Sequence, residues 1–350
     1  METPFFDPNK TYYENWEQGP FGAFIDPKDS LGKYPAIPFG IAAGPLLNAR
    51  FMKAAMLMGF DHVVYKTVRT REKKSNQWPN VVSVDIKGDL SIEQAKKGVT
   101  TKEGFAEPLA ITNSFGNPCY PVDVWQQDIA ELVEWAKDRK GQRVSAMIEG
   151  TRWDETYTDK KFLEDWVLAA QLMQETKVPE IEANFSCPNE GNLVKTLLCY
   201  DTSSSRRIAE AIKNKIGNVP LIIKISYFED QNELEYFVKE LGTVVDGFSA
   251  INTIQTPVYN AKGKQALPGG DWRLKSGICG TPIKWAGLDM VQRLKSLREK
   301  LKMNYQIIGV GGVMSSDDYH EYRSAGADVV MSATGSMWNP HLAVDIKKTL

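Results

Sequence analysis

The stretch Gln306-Ile307-Ile308-Gly309-Val310-Gly311-Gly312-Val313 decides the fold. Its first five residues are nearly continuous in apolar character, as a strand buried on both faces of a parallel sheet should be. Two glycines follow, and Ser315 then stands at a helix-capping position before helical spacing over 316–324. Strand, glycine turn and helix in that order leave backbone N–H groups exposed to a phosphate. The spacing is neither G-x-G-x-x-G nor G-x-x-x-x-G-K-[ST], so the dinucleotide fingerprint and the P-loop both fail. The next strand-like run, 328–333, leads into Thr334-Gly335 and adds a hydroxyl, while Ser276-Gly277-Ile278-Cys279-Gly280 reads as another flexible backbone stretch.

Outward from this unit the same pattern recurs. Apolar runs fall at 39–43, 62–66, 144–148, 181–185, 221–225, 247–252, 306–310 and 328–333. Helical spacing predicts helices at 49–58, 124–137, 161–175, 203–215, 232–241, 283–301, 316–324 and 340–348. Asp159, Asp201 and Ser315 stand as N-caps, with Gly217 and Gly326 as C-terminal stops. Eight strand–helix units predict an α/β fold, a (β/α)8 TIM barrel. An open doubly wound sheet is the rival, but the glycine signals sit on the last two units, where barrels bind phosphate. An insertion after the second strand, 70–123, carries an expected hairpin around 81–86. Residues 1–36 are expected to be an extended, aromatic N-terminal arm packed on the barrel, and 37–350 the barrel itself.

Composition excludes several classes. A formal net charge of -2 gives no electrostatic reason to expect nucleic acid or an anionic membrane surface as partner. No apolar run approaches the ~20 residues that a bilayer needs, and the first residues lack a secretory signal pattern. Four cysteines with no C-x-x-C and three histidines disfavour zinc, iron–sulfur clusters or any other metal site, and suit a cytoplasmic location.

In a barrel the chemistry gathers at the C-terminal ends of the strands. Those ends read Ala42-Ala43-Gly44, Lys66-Thr67, Asn184-Phe185-Ser186-Cys187-Pro188-Asn189, Lys224, Asn252-Thr253, Gly309-Val310-Gly311-Gly312 and Ala333-Thr334. Lys224 lies within Leu221-Ile222-Ile223-Lys224-Ile225, where a charge is costly unless paired. It could bind an anion, stabilise developing negative charge or form a Schiff base; Lys66 has the same options. A thiol near such lysines would have a lowered pKa and could act as a base.

The run Asn184-x-Ser186-Cys187-Pro188-Asn189 resembles the most diagnostic motif of the dihydroorotate dehydrogenases, and the resemblance extends from Pro38 to Gly335. It implies FMN-dependent oxidation of (S)-dihydroorotate to orotate in pyrimidine biosynthesis. By the same resemblance Cys187 is the base, and Lys224 contacts the flavin. Lys66 with Asn113, Phe115, Gly116 and Asn117 holds the substrate carboxylate. Asn184, Asn189, Asn252 and Thr253 read the ring. Ala42, Ala43, Gly44, Lys66, Thr67, Asn113, Asn184, Lys224, Gly280, Gly309, Gly311, Gly312, Ala333 and Thr334 hold the FMN. Residues 190–200 are expected to form a lid. Asn117 departs from the apolar residue common in the cytosolic branch, and Ala333-Thr334 from the usual Gly-Thr. The cysteine is similar to that of the soluble class, the membrane-associated class having serine there. A homodimer and an electron-transfer partner fit the resemblance, with fumarate or NAD as second oxidant. A dihydropyrimidine dehydrogenase-like flavoenzyme, a dihydrouridine synthase, a Schiff-base lyase and a non-catalytic flavin- or phosphate-binding barrel acting through partners are the rivals.

Overall fold

A computed structural model describes residues 5–21, 34–187 and 197–350. Eight parallel strands close into a barrel: β1 (Phe39–Ile41), β2 (His62–Val68), β3 (Arg143–Ile148), β4 (Ile181–Asn184), β5 (Leu221–Ile225), β6 (Gly247–Ala250), β7 (Gln306–Val310) and β8 (Val329–Ser332). Each pairs with its neighbours in sequence, and β8 closes on β1 with Met331 opposite Gly40. All eight expected strands are present, because each apolar run packs against the barrel interior on one side and the helices on the other. The connecting helices lie at Ala49–Leu57, Val122–Ala136, Asp159–Glu175, Thr202–Ile216, Gln231–Leu241, Lys284–Leu301 and Ser316–Ala325, with Leu342–Lys347 last. Asp201 and Ser315 cap as expected. Thr158, not Asp159, caps its helix by accepting from the Lys161 N–H; Asp159 is the first helical residue, where its charge meets the positive end of the helix.

Strand alternation builds the mouth. Val64, Met147, Ile222, Ile308, Val310 and Met331 belong to one small apolar cluster. Side chains two residues apart share a face, so Lys66, Glu149 and Lys224 come one layer above Val64, Met147 and Ile222. Asn184 lies level with Lys224 across the β4–β5 pair. The apolar floor and the polar ceiling of the barrel are thus the same strands read two residues further on.

The insertion departs from expectation. Residues 81–86 make no hairpin; Ser83 and Val84 form single bridges to Ile111 and Thr101. Their partners are strands Val99–Thr100 and Ala110–Asn113, which join Ile254–Tyr259 and Lys275–Gly280, from the segment after β6, in a four-stranded sheet. The stretch 276–280 is therefore no flexible loop. It is paired with residues 110–113 on one side and, over 276–278, with Ile254–Thr256 on the other. Most of its backbone groups are committed to the ladder rather than open to a phosphate. Arg273, fully buried, ties this sheet to the insertion: its guanidinium donates to Ser114 Oγ at 3.1 Å, Ser114 O at 3.0 Å and Pro79 O at 2.9 Å.

The described part of the arm is not wholly extended. Tyr12–Gln18 is a helix with a Thr11–Glu14 capping box. Its aromatics explain its docking: Trp16 stacks on Tyr120 at 4.4 Å between centroids, and Phe5 and Phe6 meet Phe51 and Phe115 edge-on at 5.6 Å each. No described helix is long and apolar enough to cross a membrane.

Candidate active site

A pocket of about 1150 Å3, open mouth included, lies over the C-terminal ends of the strands. At its centre is a network of buried polar groups. Lys66 Nζ donates to Asn117 Oδ1 at 3.1 Å. Asn117 Nδ2 donates to Glu149 Oε2 at 2.6 Å and to Cys187 Sγ at 3.0 Å. Asn184 Nδ2 reaches the same Glu149 oxygen at 3.1 Å, and Arg69 pairs with the other at 3.2 Å. Burial drags the Lys66 ammonium down to about 8, with the negative charges of Glu149 and Cys187 opposing the shift. Asn252 Nδ2 donates to Ser186 O and Oγ at 3.1 and 3.2 Å, bracing the turn that carries Cys187.

Lys224 stands on β5, fully walled in, and donates to Ser249 Oγ at 3.2 Å. Burial lowers its pKa, and the carboxylate of Glu182 on β4 opposes the fall. The same burial raises Glu182, with Lys224 and Ser249 opposing. A charge on Lys224 thus has a partner beneath it.

The far end of the pocket fits a phosphate. Gly311, Gly312, Val313, Thr334 and Gly335 line it. Gly312 has φ +66, and a Cβ there would stand 2.8 Å from the Lys284 backbone, so only glycine lets the loop take this turn against the start of the Lys284–Leu301 helix and bring its backbone to the pocket wall. The Tyr322 hydroxyl donates to Gly311 O at 2.6 Å and holds the loop. Lys284 is not a phosphate ligand here: its ammonium pairs with Asp318 at 2.8 Å and Glu321 at 3.1 Å. Thr253 also lines the pocket, and its Oγ1, buried against Gly277, has no hydrogen-bond partner among the described residues.

Residues 91–350 match the family model described as dihydroorotate dehydrogenase. The chain belongs to the dihydroorotate dehydrogenase family. A dihydroorotate dehydrogenase from Dictyostelium discoideum is 32% identical, over 98% of this chain and 96% of that one. The catalytic subunit of dihydroorotate dehydrogenase B (NAD(+)) from Oceanobacillus iheyensis is 31% identical over 51% of this chain and 55% of its own. A dihydroorotate dehydrogenase (quinone) from Aliivibrio salmonicida is 28% identical over 91% of this chain and 85% of its own. The barrel is similar to a crystal structure of DHODH in complex with ferulenol from Eimeria tenella, with a TM-score of 0.65 at 18% identity, covering 89% of this chain and 79% of that one.

Of the residues that the dihydroorotate dehydrogenase motifs single out, nearly all line this one pocket. Ala42, Ala43, Gly44, Lys66, Thr67, Asn113, Phe115, Gly116, Asn117, Asn184, Cys187, Lys224, Asn252, Thr253, Gly280, Gly311, Gly312, Ala333 and Thr334 meet there. Within the 113–117 loop, Ser114 turns away from the pocket and is buried against Arg273. Gly309 does not reach the pocket. Its neighbours Ile308 and Val310 face the barrel interior, so it faces outward, and a Cβ there would strike Tyr322 at 2.5 Å. It is a packing glycine. Asn189 and most of the 190–200 stretch lie outside the described residues. Sequence reading missed Phe6, which brings the arm to the pocket wall, and the buried pair Arg69–Glu149.

Proposed function

We propose that Cys187 is the base of a dihydroorotate oxidation in this chain, a step of pyrimidine biosynthesis carried out with FMN. The observation that carries the reading is the convergence of Lys66, Asn117, Asn184 and Cys187 at one end of a pocket whose other end is a glycine-lined phosphate cradle. Oxidation of the C5–C6 bond removes a proton and a hydride. The Cys187 thiolate takes the proton from C5, and the electron pair of that bond becomes the new C5=C6 double bond as hydride leaves C6. When bound, FMN supplies the hydride acceptor, which no side chain can be. Lys66 and the 113–117 loop hold the substrate carboxylate; Asn184, Asn189, Asn252 and Thr253 read the ring's amides, because asparagine offers both donor and acceptor. Lys224 sets a buried positive charge where an electron-rich cofactor binds. Gly311, Gly312 and Thr334 hold the phosphate. All four cysteines are thiols rather than disulfides, which suits a reducing compartment, and the cytoplasm is the proposed location.

The purified chain is expected to be yellow with one FMN per chain, and to turn over dihydroorotate in a screen of fumarate, NAD and quinone acceptors that identifies the second oxidant. A colourless protein that takes up no FMN on reconstitution would sink the assignment. Tight flavin binding without turnover under any acceptor would favour a non-catalytic barrel.

A further inference from the structure

A carboxylate only accepts hydrogen bonds. Glu149, held against Arg69, therefore dictates how the two amides beside it are turned. Both Asn117 and Asn184 direct their NH2 groups to Glu149 Oε2, which leaves their carbonyl oxygens facing away. Asn117 Oδ1 then takes the Lys66 ammonium, and Asn184 Oδ1 takes the N–H and hydroxyl of Ser186 at 3.3 Å. An amide nitrogen has two hydrogens. With one of those on Asn117 spent on Glu149, the other lies toward Cys187 Sγ at 3.0 Å. The Asn117 backbone is fixed by the same group, since Arg69 Nε donates to its carbonyl at 3.1 Å. Asn117 also has φ +47, a left-handed conformation that asparagine tolerates better than most residues. Arg69 and Glu149 are almost entirely out of water, a costly placement for two charges. The catalytic loop's amide is the group they orient.

We propose that Asn117 is a positioning residue that keeps the Cys187 sulfur a hydrogen-bond acceptor, with the Arg69–Glu149 pair fixing the direction of its amide. The inference rests on the reading of Cys187 as the base. A donor to the sulfur favours thiolate over thiol. The titratable groups that act on the neighbouring Lys66 ammonium are Arg69 from the end of β2, Glu149 from the end of β3, Cys187 itself and Cys119 from the insertion, while Lys224 from β5 lines the same pocket. Lys66 and Arg69 favour the thiolate and Glu149 opposes it, so the neutral amide between them matters: it passes a donor, rather than the carboxylate, to the sulfur.

The test is iodoacetamide alkylation of the substrate-free holoenzyme across pH, with Cys187 resolved from the other cysteines by peptide mass spectrometry. Asn117→Leu removes the donor at similar size; Glu149→Gln keeps the shape but lets the amide turn and removes a negative charge, so it is made alone and in the Asn117→Leu background. Asn117→Leu is expected to raise the midpoint of Cys187 alkylation by roughly one to two pH units, or ten- to a hundredfold less thiolate below the midpoint; Glu149→Gln, which also removes a charge that opposes the thiolate, is expected to lower the midpoint more in the Asn117→Leu background than alone. Flavin reduction by dihydroorotate should slow in Asn117→Leu at neutral pH and recover as pH rises, which a merely structural loss would not do. Coincident alkylation curves for wild type and folded Asn117→Leu would overturn the proposal, as would an equal effect of Glu149→Gln with and without Asn117, or a wild-type midpoint at or above the ordinary thiol value of about 8.5. Failure of the underlying reading shows separately: Cys187→Ser reducing its flavin at the wild-type rate would overturn the reading of Cys187 as the base, while the alkylation curves of the proteins that keep Cys187 would still report on the Asn117 hydrogen bond.

Discussion

Cys187→Ala is expected to slow flavin reduction by dihydroorotate roughly 10²–10⁴-fold, the range ascribed to a positioned base, while orotate binds nearly as well. Cys187→Ser keeps a proton acceptor of similar shape but a far weaker acid, so its slow reduction at neutral pH should recover only in part at high pH. The other thiols supply the control. Cys119 donates to the Arg71 carbonyl at 3.2 Å, a bond that a serine hydroxyl can also make, and burial pushes the Cys199 thiol up to about 12. Serine at 119, 199 or 279 should cost far less turnover. Stopped-flow reduction across pH for the four serine variants measures this, and wild-type rates with unchanged pH dependence in Cys187→Ser would assign the base elsewhere.

Lys66→Ala is expected to lower kcat/KM for dihydroorotate by roughly ten- to a hundredfold, the value of one hydrogen bond to a charged group, mainly through KM. The pH dependence has a definite sign. Burial holds the Lys66 ammonium at about 8, so its positive charge is present below that pH and lost as pH rises through it. An acidic substrate should therefore bind less well on the alkaline side, and kcat/KM should fall there after rising with thiol ionisation on the acid side. Removing Lys66 should remove the alkaline fall along with the affinity. Initial-rate kinetics over a pH series would contradict the role if Lys66→Ala kept both the KM and the alkaline limb of the wild type.

The barrel was legible because a strand buried on both faces leaves a continuous apolar run, and eight such runs alternated with helical spacing. The mouth was legible wherever a polar residue stood at or near the end of such a run, as Lys66, Lys224 and Asn252 do. Glu149 follows the run 144–148 in the same way and carried the same signal, but its importance lies in its contacts with Asn117, Asn184 and Arg69, which are far away in sequence. Asn117 was readable as part of the 113–117 loop; its hydrogen bonds to Lys66 and Cys187 depend on how the insertion folds over the barrel. The hairpin expected at 81–86 and the loop expected at 276–280 failed for one reason. Residues 83 and 84 bridge to Ile111 and Thr101 across the insertion, and residues 277–280 pair with 110–113 more than a hundred residues away; short-range pattern carries no information about such pairing. Gly309 was misassigned because glycine reads alike whether it approaches a ligand or a neighbouring tyrosine.

The most direct measurement is anaerobic mixing of the purified protein with substrate while the flavin's visible absorbance is followed. Dihydroorotate should bleach the flavin and yield one orotate per flavin reduced, whereas dihydrouracil, which lacks the carboxylate that Lys66 would hold, should leave it coloured. Bleaching by dihydrouracil but not by dihydroorotate, or by neither, would contradict the account.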